Sequence, residues 1–207
     1  AIAATRPGQE GSSLCTGTVI SPTVVLTAAH CVDPAVIGGD DATFVVLTDP
    51  NLTDGVAADG RLAVKEVHWD PQFNSRNLPN GHDIAVVILA EPTTITPIPW
   101  NSAPLPASLR NTQVRIVGYG LSNGFNQTGA GVKRTAATRL SSFNDKLVTH
   151  GDNRARICQG DSGGPVLARI NGVETVIGVN SYGFIFCLFS GNSTRVDTYR
   201  SFVEQYL

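Results

Sequence analysis

The sequence predicts an all-β fold of antiparallel strands that ends in a short α-helix. Charged residues form only 15% of the 207 residues, whereas soluble domains average about 25%. The chain also contains 21 glycines and 12 prolines, which supply frequent turns. Short runs rich in β-branched residues recur between these turns, and a helical pattern appears at the end of the chain. One domain is expected, because β-barrels of roughly 200 to 250 residues fold as single units.

Eight runs bounded by turn residues predict the strands. Val, Ile, Leu and Thr dominate each run, as is typical of residues on a pleated, half-buried surface. The rhythm of short runs and turns favours antiparallel pairing over the alternating strands and helices of a parallel sheet. The runs are residues 16–20, 24–27, 42–47, 62–67, 84–89, 114–118, 165–168 and 173–179.

The last segment has the period of an amphipathic helix. Tyr199, Phe202, Val203 and Tyr206 follow one another at helical spacing and place apolar side chains on one face. Asp197 stands at the position of an N-terminal cap. We therefore expect a helix of about two or three turns over residues 197–207.

A proline-rich, polar stretch over residues 91–110 separates two halves of the chain. It is interpreted as a connector, because its composition is that of a loop. The chain contains no methionine, so we expect that a segment in front of Ala1 has been removed.

Charge and hydropathy exclude two classes of partner. The 15 basic and 17 acidic residues give a net charge of −2, and nucleic-acid binding usually needs a basic surface. The longest apolar run, residues 84–90, is far shorter than the roughly 20 residues that cross a bilayer. We expect no nucleic-acid partner and no membrane association.

Four cysteines are spaced too widely for a zinc ribbon and include no Cys-x-x-Cys pair. Disulfide bonds are the better interpretation, although four cysteines allow three different pairings. Such bonds indicate an oxidising compartment, so we expect a secreted protein, extracellular or periplasmic. The cysteines are Cys15, Cys31, Cys158 and Cys187.

Three segments carry residues suited to nucleophilic catalysis. Ser162 lies in the glycine-rich sequence Gly-Asp-Ser-Gly-Gly-Pro, where a sharp turn can expose backbone N–H groups to an oxyanion. A serine hydroxyl also needs a base to take its proton and a carboxylate to orient that base. His30 ends an apolar run and Asp83 opens another. Each residue alone would be read as a turn, rim or cap residue.

Together these segments resemble the chymotrypsin-like (trypsin-family) serine endopeptidases. The carrying motifs are Thr-Ala-Ala-His-Cys at His30, His-Asp-Ile-Ala-Val-Val at Asp83 and Gly-Asp-Ser-Gly-Gly-Pro at Ser162. The resemblance covers nearly the whole chain from Cys15 onward. It implies two six-stranded antiparallel β-barrels within a single domain, with the active site between them. The first barrel would span residues 1–100, the second residues 111–196, and the C-terminal helix residues 197–207.

The resemblance also implies a role for each site residue. Ser162 would be the nucleophile, His30 the general base and then acid, and Asp83 the carboxylate that orients His30. The N–H groups of Gly160 and Ser162 would form the oxyanion hole. Ser181 would support Asp83. The further implied features are substrate pairing along Ser181, Tyr182 and Gly183, and disulfides Cys15–Cys31 and Cys158–Cys187.

The implied specificity pocket departs from that of trypsin. Its base carries Arg156, where trypsin-like members carry Asp, which argues against substrates with Lys or Arg before the scissile bond. Gly183 and Gly191 would leave the walls open, and Ile157 would add an apolar wall. Two alternatives remain open here. Arg156 either points inward and selects Glu or Asp, or turns away towards a carboxylate and leaves an apolar pocket.

Activation poses a second departure. In many relatives, a freed Ile-Val-Gly-Gly amine pairs with the Asp before the nucleophile, here Asp161, and no such motif precedes Cys15. Some bacterial relatives use an internal arginine instead, so a buried pair of Arg115 with Asp161 is one alternative. The second function hypothesis follows from this gap. It is a catalytically silent or zymogen-like binding or inhibitor module with the same fold.

Expected partners are protein or peptide substrates and protein inhibitors, and the chain is expected to act as a monomer. We expect no cofactor and no metal. The other histidines, His68, His82 and His150, lie in no ligand-type spacing, and His82 is interpreted as a rim residue beside Asp83. Four acidic residues in loops of the first half are interpreted as solvated rather than as calcium ligands. They are Asp40, Asp41, Asp49 and Asp54.

Overall fold

Antiparallel strands form most of the protein in a computed structural model, which describes residues 1–8, 11–152, 155–183 and 187–207. The predicted all-β class with a C-terminal helical segment is confirmed. The strands are β1 (Ile2–Thr5), β2 (Ser13–Cys15), β3 (Thr18–Ser21), β4 (Val24–Thr27), β5 (Thr43–Leu47), β6 (Arg61–Trp69), β7 (Ala85–Leu89), β8 (Gln113–Gly118), β9 (Arg134–Phe143), β10 (Leu147–His150), β11 (Pro165–Ile170), β12 (Val173–Tyr182) and β13 (Gly191–Arg195). The helices are α1 (Pro34–Ile37) and α2 (Arg200–Val203), with 3₁₀ turns at Ala29–Cys31, Leu78–Asn80, Ala107–Leu109, Asp197–Tyr199 and Glu204–Tyr206.

The first half forms one curled sheet. Over its described residues this sheet has seven strands in the order β2-β1-β5-β6-β7-β4-β3. The edge strands β2 and β3 are consecutive in the chain but lie at opposite edges and do not pair. Thr16, between them, donates its backbone N–H to Ser162 O at 2.7 Å instead. The first half is therefore a curled, open sheet where the resemblance implied a closed six-stranded barrel.

The second half closes into a barrel. Its described strands run in the order β10-β13-β12-β11-β8-β9, and β9 returns to β10. Residues Val148, Val166 and Ile177 are among those fully buried inside it. This half matches the implied six-stranded barrel.

Several strands were missed by the sequence prediction, and their composition explains why. Strand β9 alternates exposed and buried positions but carries mostly Arg, Thr, Ser and Ala. Strand β13 reads Gly-Asn-Ser-Thr-Arg, although Ser193 and Thr194 are fully buried. Hydrophobic periodicity cannot detect a strand whose buried side chains are small and polar. Strands β1, β2 and β10 were also missed.

The C-terminal segment packs against the first half, although in the chain it directly follows β13, the last strand of the second half. Tyr199 and Val203 are buried in the same apolar cluster as residues of β4 and β7. The predicted apolar face is thus confirmed, as a continuous helical run of which only Arg200–Val203 is α-helical. The predicted cap is wrong, since Asp197 makes a bidentate ion pair with Arg195 and caps nothing with its side chain.

Two disulfide bonds cross-link the chain, and both join the cysteines that the resemblance pairs. Cys15 is bonded to Cys31 at the end of β2, and Cys158 is bonded to Cys187 beside the serine turn. Among the described residues, no helix is long and apolar enough to span a membrane.

Candidate active site

The sheet of the first half brings His30 and Asp83 together. Strands β4 and β7 are antiparallel neighbours, with Thr27 opposite Ala85. His30 follows the end of β4 in a 3₁₀ turn, and Asp83 precedes the start of β7. Antiparallel pairing puts the end of one strand beside the start of the other, so both side chains emerge at the same rim.

Asp83 is fully buried and accepts three hydrogen bonds. Its Oδ2 lies 2.7 Å from His30 Nδ1, and its Oδ1 accepts from the His30 backbone N–H at 2.9 Å. Ser181 Oγ, from the second half, donates to Oδ2 at 2.5 Å. These donors compensate the burial of a carboxylate. They also place the imidazole proton on Nδ1, which leaves Nε2 of a neutral His30 with a lone pair.

Ser162 lies on a turn whose backbone is fixed from both halves. Its carbonyl accepts from Thr16 N at 2.7 Å, and the next amide, Gly163 N, donates to Asn180 O at 2.8 Å. Within the turn, Asp161 N donates to Cys158 O at 2.9 Å. Backbone hydrogen bonds from both halves of the molecule therefore hold the turn that carries Ser162.

The side chain of Asp161 is buried behind this turn. Its Oδ1 accepts from Gly120 N and its Oδ2 from Cys158 N, each at 2.9 Å. Gly118 and Gly120 make room for it, since a Cβ on Gly118 would lie 1.9 Å from Asp161 Oδ1. Burial raises the pKa of Asp161, and the two N–H donors and the charge of Arg134 oppose that rise.

Arg115 does not pair with Asp161. It makes a bidentate ion pair with Glu174, with Nε 2.7 Å from Oε1. The reason lies in the alternation of β8. Val114 and Ile116 are buried, so the side chain of Arg115 points to the other face.

Sequence reasoning missed two residues that hold the serine turn. Thr16 Oγ1 donates to Gly160 O at 2.8 Å and accepts from Tyr119 N at 3.1 Å. Asn180 Nδ2 donates to Asp161 O at 3.1 Å. No sequence signal marks either residue, because neither a Thr in a short connection nor an Asn in a strand carries a pattern that reveals its distant partner.

His150 is a fully buried histidine at the end of this network. Its Nε2 lies 2.7 Å from Ser193 Oγ, which donates to Asn180 Oδ1 at 3.0 Å. His150 Nδ1 has no hydrogen-bond partner among the described residues. Hydrogen bonds therefore connect His150, through Ser193 and Asn180, to the carbonyl that precedes Ser162.

Acid should destabilise the fold through His150. Burial lowers its pKa to about 4 from the value of 6.5 that applies to the unfolded chain. The unfolded chain then binds more protons below pH 6.5, so this contribution to stability is present above that pH and is lost as the pH falls toward about 4. We expect it to lower the free energy of unfolding by about 2 kcal/mol between about pH 7 and pH 4.5. Urea unfolding at the two pH values measures the change.

The matched variant is His150→Gln, whose amide can still donate to Ser193 but does not titrate. Other groups also respond to acid. The relevant quantity is therefore how much unfolding free energy each protein loses between the two pH values. The variant should lose less stability on acidification than the native chain. Equal losses in both proteins would show that His150 does not carry this dependence.

A cavity of about 120 Å³ adjoins Ser162. In the described part of the chain its lining is uncharged and consists of Ile157, Cys158, Gln159, Ser162, Ser181, Tyr182, Gly183 and Cys187. Gly191 packs against Ile157 in this lining, since a Cβ on Gly191 would lie 2.5 Å from Ile157 Cγ1. Arg156 instead lines a second cavity, together with Asp161 and Arg134.

Three of the four acidic loop residues of the first half interact with protein groups. Asp41 binds Arg6, Asp49 accepts from Ala57 N, and Asp54 accepts from Asn51. Within the described ranges, the ligand-type side chains that cluster are Cys15, His30 and Cys31, two of which form a disulfide bond.

The fold and the residues at the rim are those of the β-fold serine protease class, with a histidine and a buried aspartate from one half and a serine turn from the other. The chain belongs to the trypsin family, whose family model, described as Trypsin, matches residues 3–203.

Curated relatives agree with this assignment. Chymotrypsin-like elastase family member 1 of Bos taurus is 31% identical over 96% of this chain and 80% of its own length. A chymotrypsin of Phaedon cochleariae is 31% identical over 95% of this chain and 73% of its own length. Among solved structures, human heparin binding protein superposes with a TM-score of 0.75 at 19% identity, covering 99% of this chain and 89% of that one. This last similarity concerns the fold alone.

Proposed function

We propose that the chain is an active serine endopeptidase that hydrolyses peptide bonds through an acyl-enzyme on Ser162. The observation that carries the proposal is the buried Asp83, which accepts hydrogen bonds from His30 Nδ1 and Ser181 Oγ. This carboxylate fixes the tautomer that makes His30 Nε2 a base. Membership of the trypsin family supports the same reaction.

The reaction follows from these groups. Ser162 Oγ attacks the substrate carbonyl carbon while His30 Nε2 takes the hydroxyl proton, and Asp83 stabilises the resulting imidazolium. His30 then donates that proton to the leaving amine, and the C–N bond breaks to give an acyl-serine. Water repeats the sequence on the ester, releases the acid and restores Ser162.

Two backbone amides are suited to hold the oxyanion. In the part of the chain that the structure describes, the N–H groups of Gly160 and Ser162 donate no hydrogen bond, so both are available to a ligand. Each such donor contributes about 3–4 kcal/mol to the transition state in comparable sites. The hydrogen bonds of Thr16 and Asn180 hold the turn that carries them.

Labelling with a fluorophosphonate tests the proposal against a silent or zymogen-like module. The reagent needs both an activated serine and a formed oxyanion hole, so we expect one label per chain, on Ser162. Peptide mass mapping locates the label, and prior denaturation of the sample supplies the control. A folded chain that takes up no label would overturn the proposal.

The site should prefer an uncharged side chain before the scissile bond. The cavity beside Ser162 is lined by uncharged residues, whereas Arg156 lines the cavity behind the turn with Asp161. Of the two alternatives left open by the sequence, this geometry favours the one in which Arg156 turns away from the pocket over selection of Glu or Asp. Lys and Arg are disfavoured in both, because the described lining of the pocket holds no carboxylate.

A peptide library varied at that position measures the preference, with Arg156→Gln as the matched variant. We expect cleavage after uncharged residues in both proteins and the same ranking of substrates. Cleavage after Glu that disappears in Arg156→Gln would support acidic selection instead. Efficient cleavage after Lys or Arg would contradict both alternatives.

The protein is further proposed to be secreted and monomeric. Two disulfide bonds support export, because such bonds persist in oxidising compartments, extracellular or periplasmic. Substrates would add an extended strand along Ser181, Tyr182 and Gly183. Protein inhibitors would compete for that same edge.

A further inference from the structure

His82, the residue directly before Asp83, is bound to the second half of the molecule and to the C-terminal segment. Its backbone N–H donates to Tyr199 Oη at 2.7 Å, and its Nε2 accepts from Lys146 Nζ at 3.1 Å. Lys146 precedes β10, and Tyr199 belongs to the C-terminal helical segment. His82 is only 8% exposed. The sequence interpretation of His82 as a simple rim residue therefore misses these contacts.

The imidazole of His82 lies between a cation and a carboxylate. Lys146 can only donate, so Nε2 is the acceptor and the proton of the neutral ring is on Nδ1. Asp70 Oδ2, from the first half, lies 3.4 Å from that nitrogen. Nδ1 has no aligned hydrogen bond among the described residues. The ring of His82 therefore lies between Asp70 of the first half and Lys146 of the second half.

The backbone at this point is held in an unusual conformation. His82 has φ +68°, a value that non-glycine residues seldom adopt. Lys146 and Tyr199 also leave no room for a side chain on the preceding residue. A Cβ on Gly81 would lie 2.6 Å from Tyr199 Oη and 3.0 Å from Lys146 Cβ. Such conformations persist where several contacts determine them together, and they concentrate at functional sites.

Tyr199 stays a neutral hydroxyl in this cluster. Burial raises its pKa to about 12, and the negative charges of Asp70 and Asp83 add to the rise. The hydroxyl therefore accepts from His82 N without carrying a charge of its own beside Asp83.

We propose that His82 is a positioning residue for Asp83, an inference that rests on the proposed function. Asp83 belongs to the first half by its chain, but Ser162 lies in the second. The contact of His82 with Lys146, together with the bond from Ser181 to Asp83, ties the carboxylate to the half that carries the serine, and Tyr199 adds a contact from the segment that follows that half. The second half thereby sets the position of Asp83, and with it that of His30.

The variants His82→Asn and Lys146→Met test this role. Asn tolerates a positive φ better than other side chains, so the first variant keeps the backbone and removes the ring. We expect each to lower kcat per fluorophosphonate-labelled site by about tenfold with KM nearly unchanged, because small misplacements in a catalytic array are costly. The double variant should be no slower than either single variant, since both remove one interaction.

Two matched variants serve as controls. Lys146→Arg keeps a donor and should keep near-native kcat. His68→Asn removes another histidine that contacts both an acid and the C-terminal segment, through Glu66 and Tyr206, but not Asp83. It should also leave kcat unchanged. Native kcat per labelled site in His82→Asn would overturn the proposal, and so would independent, multiplying losses in the double variant.

A measurement without turnover separates this proposal from the proposed function. The low-field proton resonance of the hydrogen bond between His30 Nδ1 and Asp83 reports their geometry in any folded chain. It should shift or broaden in His82→Asn and Lys146→Met and stay in place in Lys146→Arg and His68→Asn. An unchanged resonance in the first two variants would refute the positioning role, whatever the activity. Failure of the native chain to label at Ser162 would refute the proposed function alone.

Discussion

Replacing Ser162 by alanine is expected to lower the turnover of peptide substrates by about a million-fold, to a residual rate supplied by binding and the oxyanion hole. The change removes one oxygen atom. In the proposed mechanism His30 and Asp83 activate only that hydroxyl, so they could not compensate for its loss. The turn itself should survive, since it is held through the backbone of Ser162 by Thr16 N.

The measurement is hydrolysis of a peptide substrate by purified protein, with thermal unfolding to show that the fold is intact. Ser201→Ala is the matched control, because Ser201 is an exposed serine on the C-terminal helix. It should keep full activity. Near-native hydrolysis by a folded Ser162→Ala protein would end the serine-protease proposal.

Replacing Asp83 by asparagine should lower kcat by about ten-thousand-fold while leaving the overall geometry intact. The carboxylate accepts from His30 Nδ1 at 2.7 Å and from Ser181 Oγ at 2.5 Å. An asparagine amide that faces Nδ1 donates instead of accepting, so it favours a proton on Nε2. His30 could then no longer take the proton of Ser162.

The kinetic comparison is kcat for the native protein and Asp83→Asn on the same substrate. Asp54→Asn is the control, since Asp54 is an exposed aspartate that binds Asn51 and Thr53. KM should change little, because Asp83 is fully buried and touches no substrate. A loss of less than about tenfold would mean that Asp83 does not orient the base as proposed.

The sequence by itself determined features that depend on neighbouring residues. The glycines around Ser162 predicted a sharp turn, the apolar runs before His30 and after Asp83 predicted β4 and β7, and helical spacing predicted the face of Tyr199 and Val203. Each signal lies within a few residues, because local backbone preference and alternation of buried side chains are local properties. The pairing of four cysteines and the meeting of His30 with Asp83 came from family resemblance, not from such local signals.

The tertiary structure decided the interactions between distant segments. Strand β13 is buried although its sequence is polar, since its small side chains bind partners such as His150 and Asn180. Arg115 faces Glu174 and not Asp161, because the pleat of β8 turns it to the outer face. His82 meets Lys146, 64 residues further along the chain. A hydrogen bond between two polar side chains leaves no period in the sequence, so only the packing of the two halves against each other determines which of them meet.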